Sequence, residues 1–134
     1  MENSLPLRVF LVENSCLFRE RLTEHLAIPG RIEIVGYADT EKSAIDALRF
    51  STWDALILDL QLKHGTGVEV LKALRTRGRP DRAKVIVLTN HDYYLYRRKT
   101  TECGADYFFS KSSGFCPVTA VLEQMVRERE IPLS

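Results

Sequence analysis

Short apolar runs, rich in β-branched and aromatic residues, alternate along the chain with longer segments of helical periodicity. Five runs are predicted to be strands: residues 8–12, 32–36, 55–58, 85–88 and 107–109. The first, third and fourth are almost wholly apolar, which is typical of central strands in a parallel sheet covered on both faces. Glu33 interrupts the second run, which favours a place for that strand nearer an edge of the sheet.

The segments between the runs carry apolar residues at helical spacing. The stripes are Phe18, Leu22 and Leu26; Ala44, Ile45 and Leu48; Val70, Leu71 and Leu74; and Val118, Val121, Leu122, Met125 and Val126. A fourth helix is predicted around residues 94–103, where the stripe is weakest. Thr40 is suited to cap the second helix, and we expect helices to end at Gly30, Gly78 and Gly104.

The alternation of strands and helices predicts an α/β fold. We expect a flavodoxin-like (βα)5 three-layer sandwich with a parallel five-stranded sheet in the order 2-1-3-4-5. The connections are short enough to require right-handed crossovers. No linker or low-complexity segment interrupts the pattern, so residues 1–134 are predicted to form a single domain with a core of about residues 7–129 and no output domain.

Composition and charge narrow the classes of protein. With 134 residues the chain can bury a hydrophobic core without disulfide bonds or a structural metal. Its net charge of +1 argues against nucleic acid or a membrane as the main partner. The three cysteines are odd in number and form no C-x-x-C motif, which favours a reducing compartment. No segment approaches about 18 consecutive apolar residues. We therefore expect a cytoplasmic protein that neither spans a membrane nor is secreted.

Polar residues follow four of the predicted strands, where ligands bind in open α/β sheets. Glu13 follows the first strand, Asp59 the third, Thr89 the fourth and Lys111 the fifth. Asp39 follows the second strand, which the predicted order places at the edge, away from the others. Two carboxylates, one hydroxyl and one ammonium group are therefore expected to converge on a single rim of the sheet.

This set of groups suits phosphoryl transfer, which needs positioning and charge neutralisation. Glu13 and Asp59 offer hard oxygen ligands to Mg²⁺, while Lys111 and Thr89 can contact phosphoryl oxygens. Asp59 can itself act as the nucleophile. Each residue taken singly also has a structural interpretation, such as Asp59 capping the third helix or Lys111 lying solvated in a loop. Their joint occurrence at the strand ends favours the functional interpretation.

Four motifs carry a resemblance to a known family. They are the turn at residues 11–14, the strand ending in Asp59 with the loop to Gly67, the strand ending in Thr89, and the segment from Gly104 to Lys111. In this order and spacing the chain resembles the receiver domain of bacterial two-component response regulators. The resemblance covers residues 7–129.

The resemblance implies a single-domain, chemotaxis-regulator-like switch that accepts a phosphoryl group on Asp59 from a histidine kinase or a histidine phosphotransfer protein. It implies Mg²⁺ held by Glu13, Asp59 and the backbone carbonyl of Gln61. It further implies that Thr89 moves toward the phosphate while Phe108 turns inward. A downstream protein, or a second copy in a homodimer, would dock on the face of the fourth helix, fifth strand and fifth helix.

The resemblance also implies that the domain is not an enzyme beyond catalysing its own phosphorylation and dephosphorylation, and that it binds no DNA directly. Two departures from the family pattern concern the rim. Asn14 stands where the family has a second acid, which predicts weak Mg²⁺ binding, and Asn90 is larger than the residue usual after the switch hydroxyl.

Two alternatives stay open at this point. The first is a pseudo-receiver, an interaction module in which Asn14 has disabled phosphorylation. The second is a flavodoxin-like domain that binds a nucleotide or a flavin. Against the second, the turn at residues 13–16 is acidic and bulky and lacks the glycine-rich phosphate cradle of such domains.

Overall fold

The computed structural model describes residues 5–90 and 94–130, and within them it has five parallel strands and five α-helices. The strands are β1 (Leu7–Val12), β2 (Ile32–Ala38), β3 (Ala55–Leu58), β4 (Lys84–Thr89) and β5 (Tyr107–Ser110). The helices are α1 (Cys16–Leu26), α2 (Glu41–Phe50), α3 (Gly67–Arg77), α4 (Tyr94–Glu102) and α5 (Cys116–Glu130). The strand order is β2-β1-β3-β4-β5, so the predicted fold is confirmed.

Two hydrophobic cores form because side chains along each strand point alternately to opposite faces of the sheet. In β3, Leu56 and Leu58 join the core that α2 and α3 cover, while Ala55 and Ile57 join the core that α1 and α5 cover. All four residues are buried. The continuous apolar pattern of this strand therefore reflects a central position covered on both faces, as predicted.

Local signals set several helix ends as expected. The Thr40 hydroxyl accepts a hydrogen bond from the amide of Ser43 and closes a capping box at the start of α2. Gly78 follows α3 with φ of 88°, and Gly104 lies two residues past α4 with φ of 104°. Such positive φ values favour glycine, which lacks a Cβ atom.

The prediction that the first helix ends at Gly30 is wrong. Helix α1 ends at Leu26, and Ala27 is already extended while its amide donates to the carbonyl of Thr23. The chain then reverses through a bridge between Ile28 and Ile32, and Gly30 lies inside this turn with φ of 81°. The glycine therefore serves the reversal into β2 and does not end the helix.

Strand β2 lies at an edge of the sheet, as Glu33 predicted. Its pairing with β1 shifts register between Val9 and Phe10, where Val35 is left as an extra residue on the edge strand. Gly36 then lies opposite Phe10, and a Cβ atom at Gly36 would come within 2.8 Å of the Phe10 ring. This bulge therefore depends on the glycine.

The sheet brings the ends of β1, β3, β4 and β5 together at one rim. Val12 pairs with Leu58, and Thr89 pairs with Ser110. The amide of Asp59 donates to the carbonyl of Val12 at 2.9 Å, so the residues after β1 and β3 are neighbours. Among the described residues, no helix is long and apolar enough to cross a membrane.

Candidate functional site

Three charged side chains from three strand ends meet at this rim. The Nζ atom of Lys111 lies 2.9 Å from Oε1 of Glu13 and 2.9 Å from Oδ2 of Asp59. Glu13 and Asp59 are 3% and 4% exposed. The structure thus brings together three of the predicted site residues, with one ammonium group shared between two buried carboxylates.

The backbone around Asp59 fixes its carboxylate. Its Oδ1 atom accepts a hydrogen bond from the amide of Gln61 at 3.2 Å. Gly67 packs so closely that a Cβ atom there would lie 2.3 Å from the carbonyl oxygen of Asp59. Thr66, not Asp59, caps α3, because the Thr66 hydroxyl accepts from the amide of Glu69. The structural interpretation of Asp59 as a helix cap is therefore excluded.

The β1–α1 turn holds Glu13 in a similar way. Its Oε2 atom accepts from the amide of Ser15 at 2.8 Å, and its carbonyl accepts from the Arg19 guanidinium at 2.7 Å. The Ser15 hydroxyl accepts from the amide of Phe18 and caps α1. These amides are therefore used by side chains of the turn and do not form the phosphate cradle that a nucleotide- or flavin-binding turn presents.

Burial and charge shift two of the three ionisable groups. Burial raises the pKa of the Glu13 carboxyl, the Asp59 carboxylate adds to this rise, and the Ser15 amide and Lys111 oppose it. Burial alone would lower the pKa of Lys111, but hydrogen bonds and charges from Asp59 and Glu13 outweigh it, so this pKa is raised. Lys111 therefore stays an ammonium ion while Glu13 is less acidic than an exposed glutamate.

An aromatic ring also lies close to the lysine ammonium group. The Lys111 Nζ atom is 4.1 Å from the centroid of the Phe18 ring. The apolar stripe in the sequence assigns Phe18 only to the core face of the first helix. Its position near the start of that helix, directly after the turn that carries Glu13, is the one signal that could have indicated its place beside the rim.

The other predicted residues lie in different environments. Thr89 is fully buried at the end of β4, and Asn14 and Gln61 are exposed. Phe108 is 6% exposed in the core under α2 and α3, with the Arg97 guanidinium 4.9 Å from its ring centroid. Phe108 is therefore a buried core residue in this structure, and its inward turn on phosphorylation stays a prediction.

The residues at the rim fit a hydrated Mg²⁺ ion better than a fully protein-bound metal. Among residues 5–90 and 94–130, no group of three or more histidine, cysteine, aspartate or glutamate side chains could hold a metal. The rim offers the two carboxylates of Glu13 and Asp59. Mg²⁺ is commonly held by one or two carboxylates together with water and phosphate oxygens, so this donor set suits it.

Over residues 9–123 the chain matches the family described as the response regulator receiver domain. The chain belongs to this family. This receiver domain is 31% identical over 113 residues to the nitrate/nitrite response regulator protein NarP of Escherichia coli K12, covering 84% of the chain and 52% of NarP. The signal receiver domain of NarL from Mycobacterium tuberculosis superposes with a TM-score of 0.81 at 22% identity, covering 92% of this chain and 98% of that one.

A further relative is the protein-glutamate methylesterase/protein-glutamine glutaminase of Desulfotalea psychrophila. It is 33% identical over 108 residues, which cover 78% of this receiver domain and 29% of the relative. The chain thus spans about half the length of NarP and less of the methylesterase. Receiver domains of two-component systems typically bind Mg²⁺ at the phosphorylation site, interact with histidine kinases and downstream partners, and are generally non-enzymatic.

Proposed function

We propose that this receiver domain is a phosphoacceptor switch in which Asp59 accepts a phosphoryl group from a histidine kinase or a histidine phosphotransfer protein. One observation carries the proposal: the Lys111 ammonium lies 2.9 Å from Oδ2 of Asp59 in a buried setting. A cation already in contact with the acceptor oxygen can neutralise the charge that arrives with the phosphoryl group.

The chemical step needs few groups. A carboxylate oxygen of Asp59 attacks the phosphorus atom, and the bond from phosphorus to the donor imidazole breaks. The imidazole leaves with the electron pair, and an acyl phosphate is formed on Asp59. Lys111 pairs with one phosphoryl oxygen and the Thr89 hydroxyl donates to another. Hydrolysis by water returns the aspartate and releases inorganic phosphate. In this proposal the domain catalyses only its own phosphorylation and dephosphorylation.

Glu13, Asp59 and the backbone carbonyl of Gln61 are the residues proposed to hold Mg²⁺. When bound, the ion neutralises negative charge between the aspartate and the phosphoryl group. Two carboxylates already share Lys111, and the neutral Asn14 adds no further charge. We therefore expect Mg²⁺ to bind weakly.

The output is proposed to run through Thr89, Phe108 and the face formed by α4, β5 and α5. Leu95 on α4 is 72% exposed and Tyr107 on β5 is 38% exposed. Apolar side chains that remain accessible on one face favour a protein partner or a second copy of the chain. The proposed setting is the cytoplasm, where histidine kinases present their phosphohistidine, and no direct contact with DNA is needed.

Intact mass spectrometry tests the proposal. The protein is incubated with phosphoramidate and Mg²⁺, with Asp59→Asn as the matched control. One phosphoryl adduct on the wild type, absent from Asp59→Asn, supports the switch. A wild type that takes no adduct at any Mg²⁺ concentration indicates the pseudo-receiver, and an adduct that persists in the variant places the acceptor elsewhere.

A second variant tests the proposed effect of Asn14. Asn14→Asp restores an acid beside Glu13, and we expect Mg²⁺ to bind about tenfold more tightly because each carboxylate adds charge for a hard cation. Isothermal titration with MgCl₂ measures the change, and Asn14→Ser serves as the neutral control. Equal Mg²⁺ affinity in Asn14→Asp and the wild type would show that residue 14 does not limit metal binding.

A further inference from the structure

Among the described residues, the Lys111 ammonium group has three partners, and two of them are charged. One carboxylate oxygen each of Glu13 and Asp59 lies 2.9 Å from Nζ, and the centroid of the Phe18 ring lies 4.1 Å from it. The Lys111 side chain is 11% exposed. A cation over an aromatic face is held more strongly when water is excluded, so this contact counts for more here than it would at an exposed position.

Phe18 is itself held by a backbone hydrogen bond and by a ring contact. Its backbone amide donates to the Ser15 cap, which sets the start of α1. Its ring packs edge-on against Phe115 at 5.6 Å, and Phe115 also contacts the His25 ring at 5.0 Å. Phe115 follows the tight turn that begins at Lys111. The aromatic contacts therefore join α1 to the segment that carries the lysine.

The three partners differ in what phosphoryl transfer does to them. Phosphorylation changes the charge and the geometry of Asp59, and a metal ion bound at the rim would compete with Lys111 for Glu13. The Phe18 ring keeps its charge distribution throughout. A lysine side chain has several rotatable bonds and loses considerable conformational entropy when it is held in one place. A partner that does not change during the reaction is well suited to hold it.

We propose that Phe18 is a positioning residue that holds the Lys111 ammonium at Asp59 through the face of its aromatic ring, before and after phosphoryl transfer. The proposal rests on the proposed function, because the position of Lys111 matters for the rate only if Asp59 is phosphorylated. Phe18 itself touches neither the phosphoryl group nor Asp59 in this role.

Fluorination of the ring separates a charge effect from a packing effect. Phe18 is replaced in turn by mono-, di- and trifluorinated phenylalanine, which weakens the negative ring face with little change in shape. The rate of phosphorylation by phosphoramidate is measured at fixed Mg²⁺. We expect a stepwise fall that reaches about threefold to tenfold, the range that a partly buried cation–π contact supports.

The same replacements at Phe115 provide the matched control. Phe115 packs on Phe18 and has no described contact with the ammonium, so its fluorination is expected to leave the rate within about twofold of the wild type. Phe18→Tyr, which keeps the aromatic face, is expected to retain the rate as well. A rate that does not change across the Phe18 series, or that falls equally for Phe115, would overturn the proposal.

Nuclear magnetic resonance tests the placement without any phosphoryl transfer. Protons above an aromatic ring face resonate upfield, so the ε-methylene signal of Lys111 is expected upfield in the wild type and at an ordinary lysine position in Phe18→Leu. An ordinary position in both proteins would overturn the proposal. If the wild type takes no phosphoryl group, the proposed function fails, whereas this upfield shift still supports the placement of Lys111 by Phe18.

Discussion

Two aspartates flank the four-residue strand β3, and they have opposite surroundings. Asp54 precedes the strand and lies 2.7 Å from the Arg129 guanidinium, while Asp59 follows it and lies 2.9 Å from the Lys111 ammonium. The Asp54 side chain is 34% exposed and the Asp59 side chain 5%. Nearly equal distances between the charges therefore occur in a solvated and in a buried environment.

The difference lies in charge balance as well as in burial. Asp54 pairs with one arginine and also accepts from the amide of Arg8 at 2.8 Å, which ties the start of β1 to β3. Asp59 shares its single ammonium with Glu13, so the buried group carries one surplus negative charge. Ion-pair geometry alone therefore does not separate a structural aspartate from a candidate phosphoacceptor. Burial together with an unbalanced charge distinguishes Asp59 from Asp54.

Removing the buried cation at Asp59 is expected to have the largest effect. Lys111→Met leaves two buried carboxylates without a counter-ion, and we expect the free energy of unfolding to fall by about 3–5 kcal/mol near neutral pH. Urea denaturation measures the loss.

The same pair of proteins should show a pH dependence. Because the pKa of Lys111 is raised in the folded state, the stability that its charge contributes is complete below the ordinary lysine pKa and disappears as the pH rises through the raised value. The variant and the wild type should therefore converge at alkaline pH. A loss of unfolding free energy below about 1 kcal/mol at neutral pH would contradict the burial of these charged side chains.

A methyl group at Gly67 tests how tightly the backbone encloses Asp59. The new Cβ atom of Gly67→Ala would lie 2.3 Å from the Asp59 carbonyl oxygen, so backbone must shift. We expect a loss of about 1–3 kcal/mol, typical of overpacking, together with slower phosphorylation of Asp59. Urea denaturation and the phosphoramidate assay give the two readouts. Unchanged values in both would show that the contact is relaxed in solution.

The surplus charge predicts a pH dependence that Glu13→Gln should remove. Burial raises the pKa of Glu13 in the folded state. The resulting stabilisation of the folded wild type is complete below the ordinary glutamate pKa and is lost as the pH rises through the raised value. The variant has no such titration. Its stability relative to the wild type should therefore increase with pH across this interval. Urea denaturation at a series of pH values measures the trend, and a difference that is flat or decreases with pH would refute it.

The exposed pair should give the smallest effect. Arg129→Met removes the cation of Asp54, as Lys111→Met removes that of Asp59. Since about a third of each side chain is exposed, water screens the interaction, and a loss of about 0.2–1 kcal/mol is expected. The loss should shrink further in high salt. If Arg129→Met costs as much as Lys111→Met in the same urea experiment, the distinction between the two ends of β3 fails.

The arrangement of the rim followed from the sequence because parallel strands present their carboxyl ends at one edge. The apolar run at residues 55–58 predicted a central strand, and the first polar residue after it, Asp59, had to emerge at that edge. The same reasoning placed Glu13, Thr89 and Lys111 there. The roles of these residues stay predictions until phosphorylation is measured.

Contacts between side chains that are distant along the chain could not be predicted from the sequence. Lys111 is 52 residues from Asp59 along the chain, and its contact with the ring of Phe18 requires α1 to lie beside the segment that follows β5. The apolar stripe of α1 gives Phe18 the same pattern as Leu22 and Leu26, which are buried. The pattern at Gly30 was ambiguous in another way. A glycine after an apolar stripe fits both the end of a helix and a reverse turn, and the sequence does not distinguish the two.

The bulge in β2 has a consequence for the protein in concentrated solution. An exposed edge strand offers its amides and carbonyls as a template on which another chain can add a strand. The extra residue Val35 interrupts the even spacing of those groups, and the bend it introduces increases the local twist. Gly36 makes this irregularity compatible with the Phe10 ring beneath it. The edge is therefore a poor template for aggregation. This protection comes mainly from backbone geometry, because β2 carries a single exposed charged residue, Glu33.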